Sequence, residues 1–130
     1  EEKMKNNIID SSAWIEYFKG NQEFLFITDL IYNNSICIND IILTELLPSI
    51  IHKNEHHLAE IINNVKKYDL IIDWDEIRQF QLLNIKKGNN NIGISDLIIV
   101  QNCIQNSLKL IHYDKHFTAM SKYIKFEIYK

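Results

Sequence analysis

The sequence predicts an α/β domain, a mostly parallel sheet covered by helices on both faces. Two observations predict it. Short apolar runs of strand character alternate from end to end with segments of helical periodicity, the order that builds parallel sheets through helical crossovers. No internal repeat and no linker interrupts that alternation, so residues 1–130 read as one domain, long enough for a real core. A third observation concerns chemistry: acidic residues stand where strands end, the edge at which such sheets collect ligands.

Residues 6–10 read as a short buried strand. A helix follows from Ser12, its expected N-cap, to Gly20, its expected stop. Residues 23–33 read as a second helix and 35–39 as a second strand. Asp40 is placed as the cap of a helix running through Glu45 toward His52, with Pro48 bringing a kink or break. Beyond Asn54, the spacing of Leu58, Ile61, Ile62 and Val65 is helical and marks one buried face. Leu70-Ile71-Ile72 is the expected third strand, and Asp75 opens a helix carrying Ile77, Phe80, Leu83 and Ile85. Gly88-Asn89-Asn90-Asn91 is the clearest loop. Ser95 is expected to cap a helix with Leu97, Val100, Ile104 and Leu108 on one side. Ile98, Ile99 and Cys103 make its other side apolar too, which predicts a central helix. Leu110-Ile111 supplies a fourth strand, residues 115–123 a short helix, and 126–129 an edge strand.

Composition bounds the function. Asn, Ile and Lys are abundant and Ala, Gly and Pro scarce, the skew of an AT-rich genome rather than of disorder. No apolar run approaches the ~18 residues that span a bilayer, and no secretory pattern is visible, so a cytoplasmic protein without a membrane partner is expected. Glu1-Glu2-Lys3 ahead of Met4 reads as an appended remnant, with Met4 the natural start. Cys37 and Cys103 lack metal-site spacing and read as buried packing residues. The net charge is −3, yet without the four acids considered next, 13 acidic residues face 14 basic ones. A polyanionic substrate is therefore not excluded, least of all beside a bound cation.

Those four are Asp10, Glu45, Asp96 and Asp114, each set beside an apolar segment. Burying a lone carboxylate is costly unless it is paired or binds a metal. Asp10 and Asp114 end expected strands, Asp96 begins a helix, and Glu45 can reach the same edge from its own helix. Brought together, they would form an oxygen-donor site for magnesium or manganese, suited to hydrolysing a phosphodiester.

The motifs resemble the PIN-domain family, in particular VapC-like toxin ribonucleases. Ile8-Ile9-Asp10-Ser11-Ser12-Ala13-Trp14-Ile15-Glu16-Tyr17 is similar to the family's opening, and Thr44-Glu45-Leu46 to its second acidic motif. Gly93-Ile94-Ser95-Asp96-Leu97-Ile98 resembles the third, and His112-Tyr113-Asp114-Lys115-His116-Phe117 the fourth. The likeness spans nearly the whole chain, with the motifs in the family's order. It implies a PIN-like three-layer α/β/α sandwich. It implies Asp10, Glu45, Asp96 and Asp114 as ligands of Mg2+ or Mn2+, endonucleolytic cleavage of RNA, a cognate antitoxin and a homodimer. One departure stands out: where the family usually has Thr or Ser two residues before the fourth acid, this chain has His112.

Supporting roles fall to Ser11, Ser12, Ser95 and His112 around the acids, and Lys86, Lys87 and Lys115 are candidates for RNA phosphates. Each has a plainer alternative. Asp10, Asp96 and Asp114 are in positions where an ordinary capping carboxylate would stand, although Ser12 and Ser95 are available for the first two caps. Glu45 could be an exposed helix residue, and the lysines and the His52, His56 and His57 cluster a solvated surface. Trp14, Tyr17 and Phe18 fit a core face or a partner groove equally well. Against the nuclease stand a PIN scaffold that only binds RNA or protein, and a receiver-like phosphoacceptor domain. The receiver-like reading lacks an acidic pair after the first strand, and a dehalogenase-type phosphatase would need a second aspartate after Asp10-Ser11-Ser12.

Overall fold

The computed structural model describes residues 6–130, so the Glu1-Glu2-Lys3 and Met4 reading lies outside the described residues. Five parallel strands form one sheet in the order β3-β2-β1-β4-β5. They are β1 (Asn7–Ile9), β2 (Ile36–Ile38), β3 (Lys66–Lys67), β4 (Lys109–Ile111) and β5 (Glu127–Ile128). Flanking helices are α1 (Ser11–Phe18), α2 (Ile27–Tyr32), α3 (Asp40–His52), α4 (His56–Asn63), α5 (Trp74–Lys86), α6 (Ile94–Asn106) and α7 (Lys115–Met120). The α/β class with a parallel sheet is as the sequence predicts.

β1 lies at the centre, and its residues Ile8 and Ile9 are wholly buried. The chain moves outward from β1 to β2 and β3, then returns to add β4 on β1's other side. Strand order reverses between β1 and β4, which opens a crevice at their carboxyl ends. α6 is central, as expected: every residue from Leu97 to Cys103 is buried. Its tie to α3 is polar. The Asn39 side chain accepts from Ile42 N to cap α3 and donates to Asn102 Oδ1 at 3.0 Å, while Asn102 donates to Asp69 O. Both asparagines are buried, so this satisfied pair fixes the start of α3 against α6.

Several sequence expectations need correction. Leu70-Ile71-Ile72 is not a strand. The third strand is the exposed pair Lys66–Lys67, followed by Tyr68 N donating to Ile38 O. Leu70 and Ile72 pack on the core from irregular chain, while Ile71 points to solvent. The helix expected over 23–33 divides into a 3-10 turn (Gln22–Phe24) and α2. Pro48 does not break α3, which continues to His52. Ile85 and Ile104 are exposed rather than buried. Gly20 does end α1, at φ 82°, a left-handed turn that glycine enters freely. Trp14 is fully buried, which decides for the core, while Tyr17 and Phe18 pack around it half-buried.

The caps also differ. Asp10, not Ser12, is the N-cap of α1, and Asn39, not Asp40, caps α3; α5 begins at Trp74, one residue before Asp75, with Asp73 as its cap. α6 starts after Gly93 with no side-chain cap, so Ser95 does not serve as one. Among the described residues, no helix is long and apolar enough to cross a membrane. Cys37 and Cys103 are free and buried.

Candidate metal centre

Two equivalent turns build the site. β1 ends at Ile9, and Asp10 turns its side chain back to accept from Ser12 N at 3.1 Å and from Ser12 Oγ at 2.5 Å. β4 ends at Ile111, and Asp114 caps α7 by accepting from His116 N at 2.9 Å. The strands are neighbours and parallel, so the turns lie side by side at the crevice. They are also joined: Tyr113 N donates to Ser12 Oγ at 3.0 Å, and Asp10 N to Ile111 O at 2.9 Å.

Asp96 reaches the same place from the first turn of α6, where the amino end of the helix favours an acid. Its side chain is only 18% exposed. Glu45 comes from α3, whose buried stripe is Ile42, Leu46 and Ile50. It stands off that stripe on the exposed side and accepts from Ser11 Oγ at 3.1 Å.

Repulsion and burial act on the group together. Burial pushes the Asp96 carboxyl up to about 6, and the charges of Asp10 and Asp114 push the same way. Burial also raises Asp10 against the opposing pull of its Ser12 hydrogen bonds, and raises Glu45 against its bond from Ser11. Carboxyls held above their ordinary range by burial and by one another are stabilised as anions when a cation enters among them.

His116 is the residue the sequence reading missed. Its Nδ1 lies 3.7 Å from Asp96 Oδ2 and 3.5 Å from Asp114 Oδ1. Asp96, Asp114 and His116 each offer a donor atom within 4.8 Å of the others, a grouping able to hold a metal ion. The signal was in the register: His116 stands two residues after Asp114, as Ser12 does after Asp10. His112, in contrast, bonds the backbone of Asp114 rather than its carboxylate. Its Nδ1 is buried without a partner, its ring packs 5.4 Å from Phe117, and burial lowers its pKa.

Of the candidate lysines, Lys115 lines a cavity of about 570 Å³ with His116, Lys122 and the 88–91 loop. Lys87 borders a neighbouring hollow with Asn89 and Lys122, and Lys86 is exposed at the end of α5. His52, His56 and His57 are exposed, as a solvated surface requires.

A family model described as "PIN domain" matches residues 8–123. Among solved structures, the chain is similar to the crystal structure of VapBC2 from Rickettsia felis bound to a DNA fragment from their promoter. The identity is 17% and the TM-score 0.68, with 95% of this chain and 96% of that chain covered. No curated protein matches the chain in sequence.

Proposed function

The chain belongs to the PIN-domain family, and from that premise we propose that it is a metal-dependent endoribonuclease, the toxin of a type II toxin–antitoxin pair. The observation that carries the reading is the convergence of Asp96, Asp114 and His116 donors within 4.8 Å, beside buried Asp10, at the point where strand order reverses. The fit to a divalent ion rests on donor chemistry: carboxylate oxygens, already raised in pKa by burial and mutual repulsion, suit a hard cation.

Asp10, Glu45, Asp96 and Asp114 would hold Mg2+ or Mn2+, directly or through water. A bound ion there supplies an activated water and screens the charge that builds on the phosphodiester during attack. The chain's own part is positioning. Ser12 fixes the Asp10 carboxylate, Ser11 orients Glu45, and the α7 cap orients Asp114. Ser95 precedes Asp96 in the first turn of α6, without capping it. Lys115, with Lys122, lines the cavity beside His116 and offers ammonium groups to RNA phosphates. Lys86 and Lys87 would extend that track. A single-stranded segment suits this open crevice better than a duplex.

An antitoxin segment has a place to lie. A groove of about 240 Å³ runs beside Glu45, lined by Ile15, Phe18, Leu46, Ile50 and Lys53. A peptide there would block RNA from the acids. Homodimerisation and a cytoplasmic location belong to the same reading. Incubating partner-free protein with total cellular RNA, with and without metal, tests it: metal-dependent cuts absent from Asp96→Asn are expected. Equal cutting by folded Asp10→Asn and Asp96→Asn would refute the mechanism.

The second reading, a PIN scaffold that binds RNA without cutting it, draws on His112, whose unpartnered Nδ1 replaces the small hydroxyl common in the family. RNA binding without cleavage across Mg2+ and Mn2+ titrations would favour it. The family match leaves the receiver-like and phosphatase readings without support.

A further inference from the structure

We propose that His116 is a nitrogen ligand of the metal, so that the centre prefers a first-row transition dication to Mg2+. The inference rests on the metal-site reading above and concerns what this chain adds to four carboxylates.

The geometry is specific. At 3.5 and 3.7 Å from one oxygen of each carboxylate, Nδ1 is too far from either for a normal hydrogen bond. It is nearly equidistant from both. An octahedral ion with bonds of about 2.1 Å sets neighbouring donors about 3 Å apart and opposite ones about 4.2 Å apart. The observed spacings need only a small closure to meet that arrangement. The backbone that carries the ring is also anchored. His116 N is bonded to Asp114 Oδ1, and the next residue, Phe117, is wholly buried. The side chain therefore leaves α7 from an anchored first turn.

Chemistry then sets the preference. Mg2+ takes oxygen donors and gives up water reluctantly, so an imidazole gains it little. First-row dications accept imidazole nitrogen more readily, with affinity rising from Mn2+ through Co2+ and Ni2+. As a ligand His116 would lend its Nδ1 lone pair, with two or more carboxylates supplying the charge.

The test uses Mn2+ as the probe on the full chain. Electron spin-echo spectroscopy of the Mn2+-loaded protein should show nitrogen coupling that shifts when histidine is 15N-labelled. His116→Ala should still bind Mn2+ through the acids but lose that coupling, and its Mn2+ over Mg2+ affinity ratio should fall by about tenfold. Wild-type protein that binds Mn2+ without histidine coupling overturns the proposal, as does coupling that survives His116→Ala, which would assign it to His112 or another ring. In either of those cases, loss of Mn2+ binding in Asp96→Asn leaves the acidic site standing. Undiminished Mn2+ binding in both Asp10→Asn and Asp96→Asn overturns the site and the proposal together.

Discussion

The turn after β1 and the turn after β4 use the same local design to different ends. In each, an aspartate follows a parallel strand, directly after β1 and three residues after the end of β4, caps the next helix and accepts the backbone amide two residues on. Asp10 is 4% exposed and doubly held by Ser12, while the Asp114 side chain is 35% exposed and faces His116. The first turn is a buried, rigid half of the site; the second is an open half with a ring beside it. Identical capping grammar thus leaves burial and partners to be set by position in the sheet. β1 is the central strand of the five, whereas β4 lies one strand nearer the edge and its turn opens toward the cavity that His116 shares with Lys115.

Breaking the two turns in parallel should expose that difference. The largest expected effect is on catalysis. Asp10→Asn keeps a capping side chain, yet RNA cleavage should fall at least about 100-fold, while Asp114→Asn should cost about tenfold. Cleavage rates measured at saturating metal decide this, and equal losses would erase the distinction between the halves.

Metal should bind both turns at once and so stabilise the whole domain. At a hundredfold excess over Kd, Mg2+ or Mn2+ should add about 2.7 kcal/mol to unfolding stability at pH 7. Chemical denaturation with and without metal measures it, and Asp96→Asn should lose most of the gain.

Ser12→Ala should destabilise the metal-free protein by about 1–2 kcal/mol, because it removes the bond to Asp10 and the acceptor for Tyr113 N. His116→Ala, on the open turn, should change stability by less than about 0.5 kcal/mol. Urea midpoints for the two variants compare the halves directly.

The smallest effect is on pH dependence. Asp96 is raised to about 6 in the fold, above its unfolded value, so its ionisation opposes folding. That penalty is full above pH 6, shrinks as pH falls through 6, and is gone below the unfolded value near 4. Asp10 and Glu45, also raised, act with the same sign. Metal-free protein should therefore gain stability between pH 7 and pH 5. Asp96→Asn should flatten that slope in denaturation curves taken across the interval.

How far the sequence disclosed all this depended on where a residue's reasons lie. β1, β2 and β4 are short apolar runs buried in the sheet, and burial of that kind is written in composition. β3 is two exposed lysines at a sheet edge, and an edge strand held by backbone bonds leaves no apolar mark. The more hydrophobic Leu70-Ile71-Ile72 took its place because two of those residues pack on the core without pairing. The four acids stand out through their motifs, but Ser12 does not relieve Asp10 of capping, since Asp10 caps α1 itself, and Ser95 caps nothing; Asp114 caps α7, as its sequence position allowed. Capping and metal binding are not rivals, since a carboxylate has about four lone-pair sites and one oxygen can serve both. His116 was missed because its importance comes from Asp96, twenty residues away in sequence, which only the fold brings within reach.

Ser12 Oγ and Tyr113 N meet across 101 residues of chain, and that separation has a consequence for synthesis. A growing chain that has reached residue 100 carries Asp10, Glu45 and Asp96, but its central strand still lacks the neighbour on one side. The second turn, and with it Asp114 and His116, is made only after that point. An unfinished copy released early holds the first three acids without the turn that closes the site around them.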